Sequence, residues 1–381
     1  MLVEIVKENN NIVYHVTGRI TSDTYTELVN AFVPDKENYG SFYLDLSSLE
    51  YISSAGLRAI LGEEKKLMAL GKHLIIRGCS SATMEVFKIC GFDQILKFEE
   101  SLPIVDVSKM EVIGQGLCGS VYKVSDDTIL KLYNLGYSMS MIENEKKFAR
   151  EALIAGVPTA ISLGFVKSQD GRLGILFEMI NAKSLKNVIA NDFEHIEEYM
   201  KKYVELIKTV HNAHGNEEVL PHCLDNQIKY ARRADWLNEE EHKKIEYVLS
   251  TCDRGTTCIH GDFHAGNVMY SNGEMIFIDM GDFGIGSPYQ DLAHVYNLLK
   301  NAVSEEFNEM MTNLTLEQRH IMYDYFVKYY FNNPTKEELE QYEKEMYKYQ
   351  VIKHFFYIEN FETTRQKNIE FVKNYLKTIK L

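Results

Sequence analysis

Residues 258–282 read CIHGDFHAGNVMYSNGEMIFIDMGD, and the chemistry of the chain is concentrated there. Asp262 follows His260-Gly261 and precedes Asn267 by five residues, after which an apolar stretch, Met275 to Ile278, delivers Asp279. That order supplies one carboxylate to orient or deprotonate a hydroxyl, then an amide oxygen and a second carboxylate suited to Mg²⁺, which prefers oxygen ligands. His260 and His264 invite comparison with a zinc site, but the chain has no C-x-x-C pair and no H-E-x-x-H, so zinc is not expected. Residues 282–284 spell D-F-G. The acid directly after the apolar strand is nevertheless Asp279, twelve residues beyond Asn267, and Asp282 is expected to be a turn residue.

Upstream, residues 113–121 read IGQGLCGSV, with glycines at 114, 116 and 119. Glycines at that spacing let a backbone approach phosphates without Cβ atoms in the way. A tight turn or a dinucleotide-binding fingerprint shares the pattern, but the latter should open a helix. Here a strand follows (SVYKV), then a turn at Asp126-Asp127, then a second strand (TILKLY), which predicts a hairpin over a nucleotide. Lys131 lies inside that second strand. A strand lysine can simply snorkel outward; after a glycine-rich hairpin it reads as the cation for the α- and β-phosphates. Such a lysine needs an acid to hold it. The helix expected over 141–154 offers Glu143, Glu145 and Glu151, of which Glu145 is the expected partner and a solvated helix acid the alternative.

The string H-G-D-F-H-A-G-N followed by F-I-D resembles the aminoglycoside phosphotransferase and choline-kinase-like branch of the protein-kinase-like fold, over roughly residues 108–300. The resemblance implies Asp262 as the catalytic aspartate, Asn267 and Asp279 as Mg²⁺ ligands, and Lys131 with Glu145 as the N-lobe ion pair. Gly114, Gly116, Gly119 and Val121 would cover the ATP, and Glu178 to Ile180 fall where the family's hinge passes the adenine. Asp291, in Y-Q-D-L-A, matches an aspartate that braces the catalytic loop together with His260; a plain helix N-terminal acid is the alternative.

The first hundred residues alternate strands and helices, which implies a sheet with packed helices. LVEIV and NIVYHVTG read as strands meeting near Asn9 to Asn11, and Thr21 to Asp23 offer capping oxygens to a helix. Residues 45–58, DLSSLEYISSAGLR, resemble the STAS domain of anti-sigma-factor antagonists. That resemblance makes Ser54 a regulatory phosphosite, and a serine at a helix start is also a natural N-cap. The expected fold is thus an α/β STAS domain over residues 1–105, then an α+β bilobal kinase-like domain over 106–381. Its N-lobe spans 106–180 and its mostly helical C-lobe 181–381.

At 381 residues two domains are the natural division. A net charge of −14 disfavours a nucleic-acid partner. No apolar run reaches transmembrane length, and MLVEIVKENN lacks the basic and apolar regions of a signal peptide. Six cysteines without paired spacing (79, 90, 118, 223, 252, 258) suit free thiols, so the cytoplasm is the expected compartment. The expected activity is ATP- and Mg²⁺-dependent phosphorylation of a small-molecule hydroxyl. A serine kinase of STAS partner-switching circuits and a nucleotide-sensing module without turnover are the alternatives. Helices beyond residue 195, including the acidic run Asn238 to His242 and the aromatic tail, are expected to line the acceptor pocket.

Overall fold

The computed structural model describes residues 1–8, 10–99, 102–116, 118–300 and 305–381, so Asn9 of the expected first turn and Leu117 of the glycine-rich loop lie outside it. The chain divides into two units, Met1–Pro103 and Ile104–Leu381.

In the first unit, strands β1 (Leu2–Glu8), β2 (Asn11–Ile20), β3 (Ser41–Ile52), β4 (Leu74–Arg77) and β5 (Lys97–Phe98) form one sheet in sequence order. Only β1 and β2 pair antiparallel; the parallel pairs that follow need crossovers, which α1 (Tyr25–Ala31), α2 (Ser54–Met68) and α3 (Ser81–Ile89) provide. Leu57, Ile60 and Leu67 of α2 are buried. At about 2 kcal/mol each, their burial outweighs the ~1 kcal/mol of any helix cap. A Cβ on Gly56 would stand 2.4 Å from Ile20 Cγ2, so glycine is what lets the start of α2 seat against the end of β2.

Two capping expectations are corrected here. The cap of α2 is Ser53, whose side chain accepts from the Gly56 N–H, and Ser54 is the exposed first helical residue. Before α1, Thr24 occupies the cap position without a side-chain cap bond. Its hydroxyl instead accepts from the Thr21 N–H and donates to Arg19 O, closing the turn that leaves β2.

The second unit opens with a six-stranded sheet, ordered β6-β10-β11-β9-β8-β7. Its strands are β6 (Ile104–Val105), β7 (Glu111–Gln115), β8 (Gly119–Lys123), β9 (Thr128–Tyr133), β10 (Ser162–Ser168) and β11 (Leu173–Glu178), with α4 (Met139–Ile154) between β9 and β10. After β12 (Lys183–Ser184) the chain becomes helical: α5 (Leu185–Asn191), α6 (Ile196–His211), α7 (Cys223–Arg232) and α8 (Glu239–Thr251). Four short strands interrupt it, β13 (Thr257–Ile259), β14 (Val268–Ser271), β15 (Glu274–Phe277) and β16 (Gly284–Gly286). Then come α9 (Tyr289–Leu299), α10 (Glu305–Thr312), α11 (Leu316–Tyr330), α12 (Lys336–Asn360) and α13 (Arg365–Thr378). Thr315 with Gln318, and Thr335 with Glu338, form reciprocal capping boxes that fix where α11 and α12 begin. The acidic run has the same job: Asn238 and Glu241 box the start of α8, where carboxylates complement the helix dipole. No helix among the described residues is long and apolar enough to cross a membrane.

Candidate active site

Strand register aligns three of the residues expected to meet the nucleotide. Gly114 pairs with Val121, and Val121 with Lys131, so the three stand side by side across β7, β8 and β9. Directly paired residues of an antiparallel ladder share a face, which puts the glycine, the valine and the lysine on one surface. The glycines differ in purpose. A Cβ on Gly119 would lie 2.1 Å from Leu132 O, so that position is forced by strand packing. A Cβ on Gly116 would meet nothing within 4 Å among the described residues, and its N–H donates to Gly119 O at 2.9 Å, closing the hairpin turn.

Lys131 Nζ stands 2.8 Å from Glu145 Oε1 and 2.9 Å from Asp279 Oδ1. Glu145 is the inward acid because it shares the buried face of α4 with Ile142, Ala149 and Ala152, whereas Glu143 is exposed. Tyr133, two residues along β9 from Lys131, donates its hydroxyl to Glu145 Oε2 at 2.6 Å and so fixes the carboxylate from the other side. Burial disfavours the Lys131 cation, but Asp279 and Glu145 outweigh it and raise its pKa. The lysine is therefore charged under any ordinary condition.

Asp279 adopts φ 60° and ψ 66°, a left-handed conformation that Asp tolerates better than most residues. The preceding Ile278 N–H donates to Asn267 O at 2.9 Å, which ties the strand carrying Asp279 to the loop carrying Asn267. Asp282 lies three residues on, at the end of a single 3₁₀ turn. Its carboxyl keeps an exposed edge but is pushed up to about 6, first by the protein crowding round it and then by Asp262, Asp279 and Glu145, against the pull of Lys353. The acid that meets Lys131 is Asp279.

Asp291 is fully buried at the start of α9 and accepts from the backbone N–H groups of His260 (2.7 Å) and Gly261 (2.8 Å). His211 from α6 adds a contact at 3.1 Å. Burial works against the ionised form, yet the His211 hydrogen bond and charge, with His260, hold the Asp291 carboxyl below its usual range. Gly261 has φ 83°, and a Cβ there would strike Asp282 O at 2.3 Å, so the turn into Asp262 accepts only glycine. His260 is buried, its ring against Phe277, and its Nδ1 accepts from the Asp262 N–H at 3.4 Å.

Asp262 itself keeps a side-chain exposure of 37% at the floor of the loop. Asn267 Nδ2 donates to its backbone oxygen at 3.0 Å and to Oδ2 at 3.2 Å. His264 Nε2 is 3.7 Å from Oδ2 while its Nδ1 accepts from the Gly266 N–H, which fixes the tautomer with the hydrogen on Nε2. Burial would raise the Asp262 carboxyl, but the His264 hydrogen bond, with the His264 and His294 rings and the Lys353 ammonium group beside it, carries it well below its ordinary value.

The Asn267 amide spends its nitrogen on Asp262, leaving its oxygen for another partner, and Asp279 is 41% exposed. Two hard oxygens of this kind, next to a lysine suited to phosphate, fit Mg²⁺.

The hinge residues separate. Ile180 packs with Ile129 and Ile278 in a small apolar cluster, whereas the Glu178 side chain is committed to the Ile161 N–H at 2.8 Å. Ser54 belongs to the other unit, Met1–Pro103. Sequence reading missed Tyr133, His211, His294, Lys353 and Tyr357. Two of these carried a local signal: Tyr133 lies two residues from Lys131 on one strand face, and His294 one helical turn after Asp291.

A model of the phosphotransferase enzyme family matches residues 109–325, and a STAS-domain model matches residues 3–103. Among solved structures, a thermostable mutant of aminoglycoside phosphotransferase APH(4)-Ia, in ternary complex with AMP-PNP and hygromycin B, is 11% identical with a TM-score of 0.50. The match covers 70% of this chain and 94% of that one. A choline/ethanolamine kinase family protein from Mesorhizobium loti is 15% identical (TM-score 0.44; 71% and 89% covered). The GDP complex of aminoglycoside 2'-phosphotransferase-IIIa is 13% identical (TM-score 0.47; 78% and 99% covered). At such identity the first of these speaks to fold alone, and it is the kinase-like fold. The family match spans more than half of the sequence: this chain belongs to the phosphotransferase enzyme family and carries a STAS domain ahead of its kinase-like unit.

Proposed function

We propose that the second unit transfers the γ-phosphoryl group of ATP to a hydroxyl of a small molecule, with Asp262 as the catalytic carboxylate. The observation that carries this is the convergence of Lys131, Glu145 and Asp279 within 2.9 Å contacts, with Asp279 tied through Ile278 to the Asn267–Asp262 loop. Mg²⁺, held by Asn267 and Asp279, would neutralise charge on the phosphates. Lys131 binds the α- and β-phosphates and is kept in place by Glu145. Gly114, Gly116, Gly119 and Val121 cover the nucleotide, and Ile180 forms part of the apolar wall for the adenine. The acceptor oxygen forms a bond to the γ-phosphorus as the bond to the β–γ bridging oxygen breaks, and ADP leaves with that electron pair. A carboxylate held far toward its ionised form is a weak base. Asp262 therefore orients the hydroxyl first and takes its proton late, as the new P–O bond forms.

The test is Asp262→Asn in the full chain, with a panel of hydroxyl-bearing metabolites and aminoglycosides as acceptors. Mg-ATP binding should persist while transfer falls by about two to four orders of magnitude. Near-wild-type transfer would remove Asp262 from the catalytic role.

A second acceptor is favoured by one observation. Ser53 does the capping of α2, so the exposed Ser54 is free of that duty and stands where a helix N-terminus tolerates phosphate. The unit would then regulate the kinase or recruit a protein partner through that serine. Incubating wild-type protein and Mg-ATP with the Asp262→Asn chain, then locating phosphate by mass spectrometry, separates the two acceptors.

A further inference from the structure

Asp262 has two carboxylate oxygens, and the residues expected from sequence account for one. Asn267 donates to Oδ2, and His264 lies on that same side. Oδ1 faces His294 of α9, whose Nε2 is 3.4 Å away. The His294 side chain is only 5% exposed, and its Nε2 has no hydrogen-bond partner among the described residues. Its other nitrogen, Nδ1, is 2.8 Å from the hydroxyl of Tyr357 on α12.

These contacts select one tautomer. Burial pulls the imidazole down to about 3, so it is neutral near pH 7, and burial keeps the Tyr357 phenol protonated. Were the single ring hydrogen on Nδ1, the Nε2 lone pair would face a carboxylate oxygen inside the protein, a repulsion with nothing to offset it. With Tyr357 donating to Nδ1, the hydrogen sits on Nε2 and points at Oδ1. The 3.4 Å separation exceeds the roughly 2.7–3.2 Å of a settled N–H···O bond, and catalytic contacts of this kind tighten as the reacting complex assembles.

Helix α12 reaches the loop a second time. Lys353, one turn before Tyr357 on the same face, donates to Gly261 O at 3.1 Å. Both residues lie beyond residue 325, where the family match ends.

We propose that His294 is a positioning residue for Asp262: its Nε2–H, held in that tautomer by Tyr357, fixes the rotation of the catalytic carboxylate, and the tail helix α12 is thereby part of the active site. Without this contact, Oδ1 is free to swing, while Asn267 and His264 still hold only the other oxygen. The loss falls on alignment in the transition state and leaves nucleotide binding alone, because among the described residues the partners of His294 are Asp262, Tyr357 and the His264 ring, none of them in the Lys131 cluster.

The inference rests on Asp262 as the acceptor-orienting carboxylate, and the experiment separates the two. Steady-state release of γ-phosphate from Mg-ATP, with water as acceptor, is measured for the full-length wild type and for Asp262→Asn, His294→Leu, His294→Gln and Tyr357→Phe. His294→Leu should lower kcat about 10- to 100-fold with KM for ATP within about twofold. His294→Gln, whose amide can present an N–H to the same oxygen, should recover most of that loss, and Tyr357→Phe should fall between. A kcat unchanged in His294→Leu, or a His294→Gln variant as slow as His294→Leu, overturns the positioning role, as does a change confined to KM. If His294→Leu does not fold, Tyr357→Phe decides, since it keeps the imidazole and frees only its tautomer; an unchanged kcat there overturns the proposal. An active Asp262→Asn chain defeats the underlying assignment instead, whatever the His294 variants do.

Discussion

Both units bury charge, and they put it to different ends. In the STAS domain the inward acids of α2 are matched one by one. Glu63 Oε1 lies 2.9 Å from Lys36 Nζ, while Glu64 accepts from the Leu74 N–H and meets His73 Nδ1, both at 2.6 Å. Lys66 adds a second ammonium group 3.7 Å from Glu63 Oε2, so both acids stand beside cationic or donor groups. In the kinase-like unit Lys131 is shared between two carboxylates, and around Asp262 and Asp282 the nearby ammonium group is Lys353. Four carboxylates thus stand against two lysines, in a region where Asp262 and Asp279 remain more than a third exposed. Matched, buried charge holds a fold; surplus charge at an opening is where a cation and a phosphate can be received.

The sharpest way to break this contrast is to remove one acid from each unit. Asp279→Ala should abolish Mg²⁺-dependent binding of ATP in calorimetric titration, whereas Asp282→Ala should bind nearly as wild type. The opposite ranking would move the metal site to the D-F-G tripeptide. Glu63→Ala should do the reverse. It strands Lys36, which is only 7% exposed, and should cost the first unit about 3 kcal/mol in urea denaturation while the Mg-ATP affinity of the full chain stays put. An Asp279→Ala chain that loses as much stability as Glu63→Ala would erase the distinction.

A smaller effect follows from histidine placement. His260, His294 and His354 of the kinase-like unit are buried, and burial lowers the pKa of each, that of His294 to about 3 and that of His354 to about 4. Unfolded, each would take a proton near pH 6.5. Between there and the folded values the unfolded chain binds more protons, so the stability present above pH 6.5 is lost as pH falls through that window, by up to about 1.4 kcal/mol per pH unit for each group. The STAS-domain histidines, His15 and His73, are half-exposed beside Asp45 and Glu64. Calorimetric scans from pH 7 to pH 5 should therefore lower the transition of the kinase-like unit more than that of the STAS domain. Equal shifts would contradict the burial argument.

Much of the site was legible because its parts are local. Asp262 and Asn267 are five residues apart in one loop, and Asp279 follows a strand that pairs back on that loop, so their spacing is written in the backbone. Glu145 was expected from its place near the start of α4 facing the strand, and in the structure the buried face of α4 turns that acid toward Lys131 while Glu143 is exposed. The cap of α2 was misjudged by one residue, since Ser53 and Ser54 are chemically identical and only the backbone turn decides which oxygen reaches the Gly56 N–H. The acidic run near residue 240 holds a capping box, whose residue types a binding surface would share.

The sequence by itself determined the order of the two domains, the family, and the local patterns that carry Lys131 on its strand and Asp262, Asn267 and Asp279 in one block, since turns, strand alternation and helical period are consequences of neighbouring residues. Tertiary structure alone decided what surrounds Asp262. His294 is 32 residues from it, Lys353 is 92 from Gly261, and Tyr357 is 63 from His294. Along α12 those last two look like any lysine and tyrosine of a long helix. What brings them to the surroundings of Asp262 is the packing of α12 over α9, a contact fixed by the summed burial of many side chains and by no local pattern.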